Sequence, residues 1–216
     1  MALEVLFEDN HLLVVYKPVG VLSQADKTGD IDMLTIGKEY IKHRYNKPGD
    51  VYLGLVHRLD RMTSGVMVFA KTSKAAMRLS NDILNHNFFK EYICVCEGNI
   101  ENYDETTLID YLEKDEKLNK SFISPNGKEA VLSYQVVKTK NNKSLVRIKL
   151  KTGRHHQIRV QFSNIGHPLY GDIKYGSKFK EDLALQAYKL SFYHPISKEL
   201  LTFSKISYHG IFSIFK

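Results

Sequence analysis

Short apolar runs that follow one another with little helix between them constrain this chain more than any other feature. "LEVLFE" and "LLVVYK", joined by the turn residues Asp9 and Asn10, read as a pair of strands. "YLGLV", "GVMVFA", "KEYICVCEG", "AVLSYQVV", "SLVRIKL", "AYKLSFYH" and "LTFSKI" read as further strands, with Val146, Ile148 and Leu150 alternating toward a core. "KEYICVCEG" has so few polar residues that both of its faces are expected to be covered. Helical spacing predicts one helix from Met33 to Tyr45 with Asp32 as N-cap, and a second capped by Ser73 through "KAAMRLSNDILNH". A third lies in "TGRHHQIRVQFSNIG", with Thr152 as cap and Ile158, Phe162 and Ile165 on one face. The region 99–128, with "EKDEKLNK" inside it, is the most polar and reads as an inserted, solvated loop. Strands in direct succession imply an α+β fold with a mixed, largely antiparallel sheet flanked by helices. With no repeat and no break in composition, one domain over 1–216 is expected.

An apolar content of 43% and a charged content of 25% are ordinary for a soluble globular protein. No apolar run approaches the ~18 residues of a membrane span, and "MALEVLFEDN" does not make a signal peptide. A cytoplasmic protein without membrane partners is therefore expected. The net charge of +7 favours an anionic partner, with nucleic acid first among them. Cys94 and Cys96 share one face of a strand and read as buried small apolar residues, neither disulfide nor zinc ligands. Richness in Lys, Asn and Ile hints at an AT-rich bacterial genome.

"HRLDRMTSG", residues 57–65, sets a carboxylate among His57, Arg58 and Arg61 at the junction of two core strands. An ion-paired turn accounts for it with nothing further. A Ser-His-Asp triad fits poorly, because His57, Asp60 and Ser64 lie close together in sequence and the glycine-flanked serine elbow is absent. A metal site would want more ligands than His57 and Asp60. A catalytic carboxylate kept ionised by cations is the remaining reading.

"TGRHHQIR" gathers Arg154, His155, His156, Gln157 and Arg159 at the expected start of a helix, where free N–H groups suit a phosphate. A solvated basic helix face explains the same residues. His155 and His156 are adjacent and expected to point apart, which argues against joint metal ligation. "GHPLYGDIKYG" reads as a structured loop.

Together these stretches resemble the RluA-type family of RNA pseudouridine synthases. "EDNHLLVVYKPVGVLS", with Lys17, Pro18 and Gly20, is similar to the family's opening motif, and "GLVHRLDRMTSGVMVFAKT" to its catalytic-aspartate motif. "FFKEYICVCEG" is similar to the segment bearing its active-site tyrosine, and "LKTGRHHQIRVQFSNIGHPLYGDIKYG" to its third motif. The resemblance implies Asp60 as the nucleophile or the group that promotes departure of uracil. It implies Tyr92 as the residue packing on the base and serving proton transfer at C5. Arg159 is implied as a bidentate guanidinium partner of Asp60. Arg58 is implied to contact RNA around the flipped nucleotide and Ile158 to wall the uracil, with Arg154 and His57 also toward RNA. Thr63, Ser64 and Gly65 are expected to shape the loop.

The reaction so implied needs no cofactor, no metal and no small-molecule partner, and the substrate is rRNA or tRNA. Gln161 stands where the family commonly has histidine, so a change in supporting or RNA contacts is expected there. No S4-like RNA-binding domain is expected before the first motif, and the chain is expected to act as a monomer. Two other classes stay open: a catalytically silent RNA-binding module, and an RNA or nucleoside hydrolase.

Overall fold

The computed structural model describes residues 2–216. In chain order its elements are β1 (Glu4–Glu8), β2 (Leu12–Lys17), α1 (Met33–Arg44), β3 (Gly54–Leu55), β4 (Ser64–Ala70) and α2 (Ser73–Leu84). There follow β5 (Phe88–Glu97), β6 (Thr106–Asp115), β7 (Lys120–Ile123), β8 (Lys128–Thr139) and β9 (Lys143–Leu150). The chain ends with α3 (Gln157–Asn164), β10 (Leu185–Tyr193) and β11 (Leu200–Ser204), with 3-10 turns at Ile173–Tyr175 and Gly210–Phe215. Two compact units result, one from the segment up to Phe89 with Ala187–Lys205, the other from Lys90–Gln186 with Ile206–Lys216.

The first unit is a sheet in the order β1-β2-β4-β10, with β11 on β10 and β3 on β4. β1–β2, β2–β4, β3–β4 and β10–β11 are antiparallel. β2 and β4 are almost wholly buried, because helices cover both faces. Leu12, Val14, Val66 and Val68 cluster with Ala75 and Leu79 of α2. Leu13 points the other way, toward Gly37 of α1. A strand covered on both faces loses the polar alternation of a half-exposed one, so "LLVVYK" reads as a continuous apolar run. Asp32 caps α1 as the sequence predicts, accepting from Leu34 N and Thr35 N. α2 is capped by Thr72 instead of Ser73: its Oγ1 accepts from Ala75 N at 3.2 Å. The expected strand "YLGLV" shrinks to Gly54–Leu55, where Ala76 of α2 crosses close over Gly54.

The second unit is a sheet in the order β5-β9-β8-β6-β7, antiparallel at every one of these pairings. Here the expected loop at 99–128 is a hairpin. β6 pairs with β8 from Thr106↔Tyr134 to Leu112↔Lys128 and with β7 from Leu112↔Ile123 to Asp115↔Lys120. Asp115 Oδ1 caps the turn, accepting from Lys117 N and Leu118 N. Main-chain bonding to β8 holds these strands although Thr107, Ile109 and Tyr111 leave one face of β6 exposed, so no clean alternation marks them. α3 lies on the other face, Phe162 meeting the ring of Tyr134 at 5.2 Å and Val160 joining Leu112 and Ala130. The two cysteines are free and buried on β5. The α+β class and the largely antiparallel sheet are those the strand order implies. Among the described residues no helix is long and apolar enough to cross a membrane.

Gly65 sits at φ +140°, where a Cβ would meet the carbonyl oxygen of Ala187 at 2.3 Å. Gly65→Ala is expected to cost more than about 1 kcal/mol of stability, read as a lowered midpoint in urea unfolding.

Candidate active site

The loop between β3 and β4 is built by alternation. His57 and Leu59 are buried, Arg58 is exposed and Asp60 half-buried, as an extended backbone with a period of two requires. The inward residues and the main chain do the anchoring. His57 Nε2 accepts from Val68 N at 3.1 Å and its ring meets Phe88 edge-on at 5.2 Å. Enclosed to 8% exposure, His57 anchors the loop. Ser23 Oγ donates to Leu59 O and accepts from Leu59 N. Gly20 N donates to Arg61 O while Arg61 Nε donates back to Gly20 O, and Arg61 Nη1 meets Asp30 at 2.7 Å. Thr63 N closes the turn onto Asp60 O.

Beneath the loop lies Lys17, which sequence reading named only as a motif residue. Its Nζ donates to Pro18 O and Arg61 O, each at 3.0 Å, and its side chain has no exposure. Burial brings its pKa from 10.5 down to about 7, against the negative charge of Asp60, which favours the ammonium. A cation for the Asp60 loop is thus found within its own unit, at the end of β2.

In the second unit Tyr92 is on β5 opposite Ile148 and buried, and Ile158 is buried on α3. Arg159 Nε and Nη2 hold Asp172 Oδ2 and Oδ1 at 2.6 and 2.7 Å. The bidentate partner of that edge of the guanidinium is therefore the aspartate of "GDIKYG", a residue sequence reasoning did not single out. Both side chains are nearly enclosed. The ring of Tyr175 lies 4.9 Å below Arg159 Cζ, and its hydroxyl bonds His156 Nδ1 at 2.8 Å and accepts from Ser121 N at 2.9 Å.

The start of α3 departs from expectation. Thr152 does not cap it; Thr152 Oγ1 bonds Val131 N and Gln157 Oε1, which keeps residues 152–156 as a loop against β8. The cap position is His156, in the left-handed region at φ +54°. That backbone turn brings the two histidine rings together, stacked at 3.7 Å, where adjacent residues were expected to diverge. Gln157, Ile158 and Arg159 are buried, so the first turn of α3 does not offer the surface phosphate cradle its sequence implies. Arg154 is exposed, with Nε on Glu129 O. Gln161 is fully enclosed and donates to Asp110 Oδ2 and Ala130 O, which ties α3 to the sheet. Among the described residues no group of three His, Cys, Asp or Glu is placed to hold a metal.

Burial, with Arg159, His155, Lys174 and Lys114 nearby, pushes the pKa of His156 down to about 2. It is neutral at working pH and serves as a hydrogen-bonding strut. Its contribution to stability is full above its ordinary value of 6.5 and is lost as pH falls toward 2. NMR should find no titration of the His156 ring between about pH 4 and 8. Asp172→Asn leaves the Arg159 charge enclosed without its counter-charge, and a loss of about 3–5 kcal/mol is expected in urea unfolding.

Residues 11–164 match the model of the RNA pseudouridylate synthase family. The uncharacterized RNA pseudouridine synthase YhcT of Bacillus subtilis is 35% identical, over 92% of this chain and 67% of its own length. The ribosomal large subunit pseudouridine synthase D of Zymomonas mobilis is 34% identical, over 93% of this chain and 68% of its own length. The chain thus spans about two thirds of these relatives. The fold is that of human RNA pseudouridylate synthase domain containing 4, with a TM-score of 0.82 at 22% identity over 98% of this chain and 92% of the human one. The chain belongs to the RNA pseudouridylate synthase family, in its RluA-type branch, and is an isomerase that converts uridine in RNA to pseudouridine.

Proposed function

We propose that this chain isomerises uridine in ribosomal RNA, with Asp60 as its catalytic carboxylate. The observation that carries the reading is the loop itself. Its backbone is fixed at Leu59 and Arg61 by Ser23, Gly20 and Lys17, while Arg58 and Asp60 occupy the alternate positions. A carboxylate on so constrained a main chain costs little further ordering when substrate arrives. Ribosomal RNA is favoured because relatives of Zymomonas mobilis and Yersinia pestis carry ribosomal large subunit pseudouridine synthase names.

In this reading the target nucleotide is extruded from its stack, with Arg58 and Arg154 holding neighbouring phosphates. Tyr92 and Ile158 flank the uracil, and Arg159, held at one edge by Asp172, is the catalytic guanidinium. The N1–C1′ bond breaks with its electron pair on uracil, and Asp60 attacks or stabilises the electron-poor carbon. The base rotates, C5 joins C1′ as Asp60 leaves it, Tyr92 takes the C5 proton as its own hydroxyl proton is given up to solvent, and N1 gains a proton from solvent. Atoms and electrons balance with no redox partner or group donor, so no cofactor enters the proposal. A single catalytic domain, acting as a monomer in the cytoplasm, completes it.

The test maps pseudouridine across total RNA from cells with the gene intact, deleted, or restored as Asp60→Asn. A site lost on deletion and regained only with the intact gene is expected in rRNA. Its appearance in tRNA would move the substrate. An abasic site would favour hydrolysis, and unchanged uridine a silent binder. Restoration by Asp60→Asn would remove Asp60 from the chemistry.

A further inference from the structure

We propose that the β6–β7 hairpin and the turn at Ile173–Tyr175 form a binding site for the sugar–phosphate backbone of RNA, with Lys120 and Lys174 as its phosphate ligands. The inference rests on the reading of the substrate as ribosomal RNA and adds to it a surface remote from the groups given to the chemistry.

Three stretches distant in sequence bring cations to one end of the second unit. Lys114 lies near the end of β6, Lys120 begins β7 opposite Asp115, and Lys174 is the middle residue of the turn. Their convergence is felt at His156, whose pKa is pushed down by burial first and then by the charges of Arg159, His155, Lys174 and Lys114. Like charges gathered in this way oppose the folded state, and the carboxylates nearby do little to offset them. Asp172 has both oxygens on Arg159. Asp115 Oδ1 is taken by the amides of Lys117 and Leu118. Glu116 meets Lys114 in a surface pair whose acid is 78% exposed, and such a pair contributes little. Lys120 Nζ lies 5.2 Å from the centre of the Tyr175 ring, and Lys174 Nζ donates to Asn119 O at 3.1 Å. Among the described residues neither of these two is ion-paired with a carboxylate.

The frame beneath the amines is fixed. Ser121 N donates to the Tyr175 hydroxyl, and Ser121 Oγ bonds His155 Nδ1 at 2.8 Å. Asn119, in the left-handed region at φ +46°, presents its carbonyl to Lys174. An anion arriving here finds its cations already gathered, so less ordering opposes binding.

The kind of cation selects the kind of anion. Lysine is a compact point charge without the planar fork that clamps one carboxylate or phosphate bidentately. Set on a hairpin and a turn, two such charges suit successive phosphates of a chain. Arg154, exposed and next to His155 in sequence, extends the row. A strand of RNA laid along these residues releases a counterion at each phosphate met, which supplies affinity without reading sequence.

Purified full-length wild type, Lys120→Gln/Lys174→Gln, Lys120→Arg/Lys174→Arg and, as a control, Lys74→Gln on exposed α2 of the first unit would be compared. The probe is ribosomal RNA extracted from cells lacking the gene and stripped of protein. Kd is read across a salt series, with kcat, KM and thermal midpoint on the same RNA.

The double glutamine variant is expected to raise Kd and KM about tenfold at low salt with kcat and midpoint unchanged. Its plot of log affinity against log salt should flatten by about 1.4, from two phosphate contacts at about 0.7 each. The arginine variant should restore both, and Lys74→Gln should match wild type. Wild-type Kd and salt slope in the glutamine variant would overturn the proposal. So would a loss of affinity and midpoint in the glutamine and arginine variants alike, since the lysines would then only staple the hairpin. Unchanged RNA binding with weakened retention of polyglutamate would also overturn it and give the site to an acidic protein. Wild type that forms no pseudouridine in this RNA would sink the functional reading, while the Kd comparison, which needs no turnover, would still decide the site.

Discussion

The pair of Arg159 and Asp172 is the interaction on which the second unit depends. A guanidinium enclosed by protein must be met on its charge and on its N–H groups, and Asp172 meets two of these at once. Everything around the pair keeps it in place. Tyr175, three residues beyond the aspartate, lies under the guanidinium and passes the constraint through its hydroxyl to His156 and to the main chain of β7. His155 stacks on His156 and bonds Ser121. One helix, one loop and one hairpin are thereby tied at a single aromatic ring. The neutral state of His156 follows first from its burial and then from the same crowding, since a further cation would oppose the charge of Arg159.

The first unit meets a similar need at the loop between β3 and β4 through hydrogen bonds to main chain. Its polar loop hangs between strands covered on both faces, where unmet main-chain groups would be costly. Ser23, Gly20 and Lys17 satisfy the loop's amides and carbonyls directly. Because these bonds are made to main chain, the outward side chains of Arg58 and Met62 carry none of the loop's geometry in those contacts. Buried and outward-facing residues alternate along one extended segment.

This division explains what was legible in the sequence. Periodicity and capping gave α1 with Asp32 correctly, and apolar runs placed most strands, because local pattern decides both. Motif resemblance brought out Asp60, Tyr92 and Arg159 as candidates, and their roles belong to the proposal. The clasp of Asp172 on Arg159 was not legible, since nothing in "GDIKYG" says that the loop folds back onto the helix before it. Lys17 was read as part of a motif but not as a buried cation; a lysine ending an apolar strand ordinarily reaches for water. The hairpin of β6 and β7 was hidden for a different reason. Its strands are held by main-chain pairing with one face exposed, so their side chains carry little of the pattern that marks a core strand.

Net charge, likewise, treats every cation alike, whereas the fold does not. Lys17 is spent on carbonyls inside the first unit, Lys71 on Glu8 at 2.7 Å with both side chains largely enclosed, and Arg159 on Asp172. Arg61 is turned to Asp30. Arg61, though exposed, is paired with Asp30, and the other three are enclosed; none adds a free solvent-facing charge of the kind that displaces counterions from a polyanion. Exposed cations such as Arg58, Arg154 and Lys174 do, and in the proposed complex the salt dependence of RNA binding would follow their number and not the formal +7. The interior cations set geometry, and their cost appears in stability. The surface cations set affinity, and their effect fades with ionic strength.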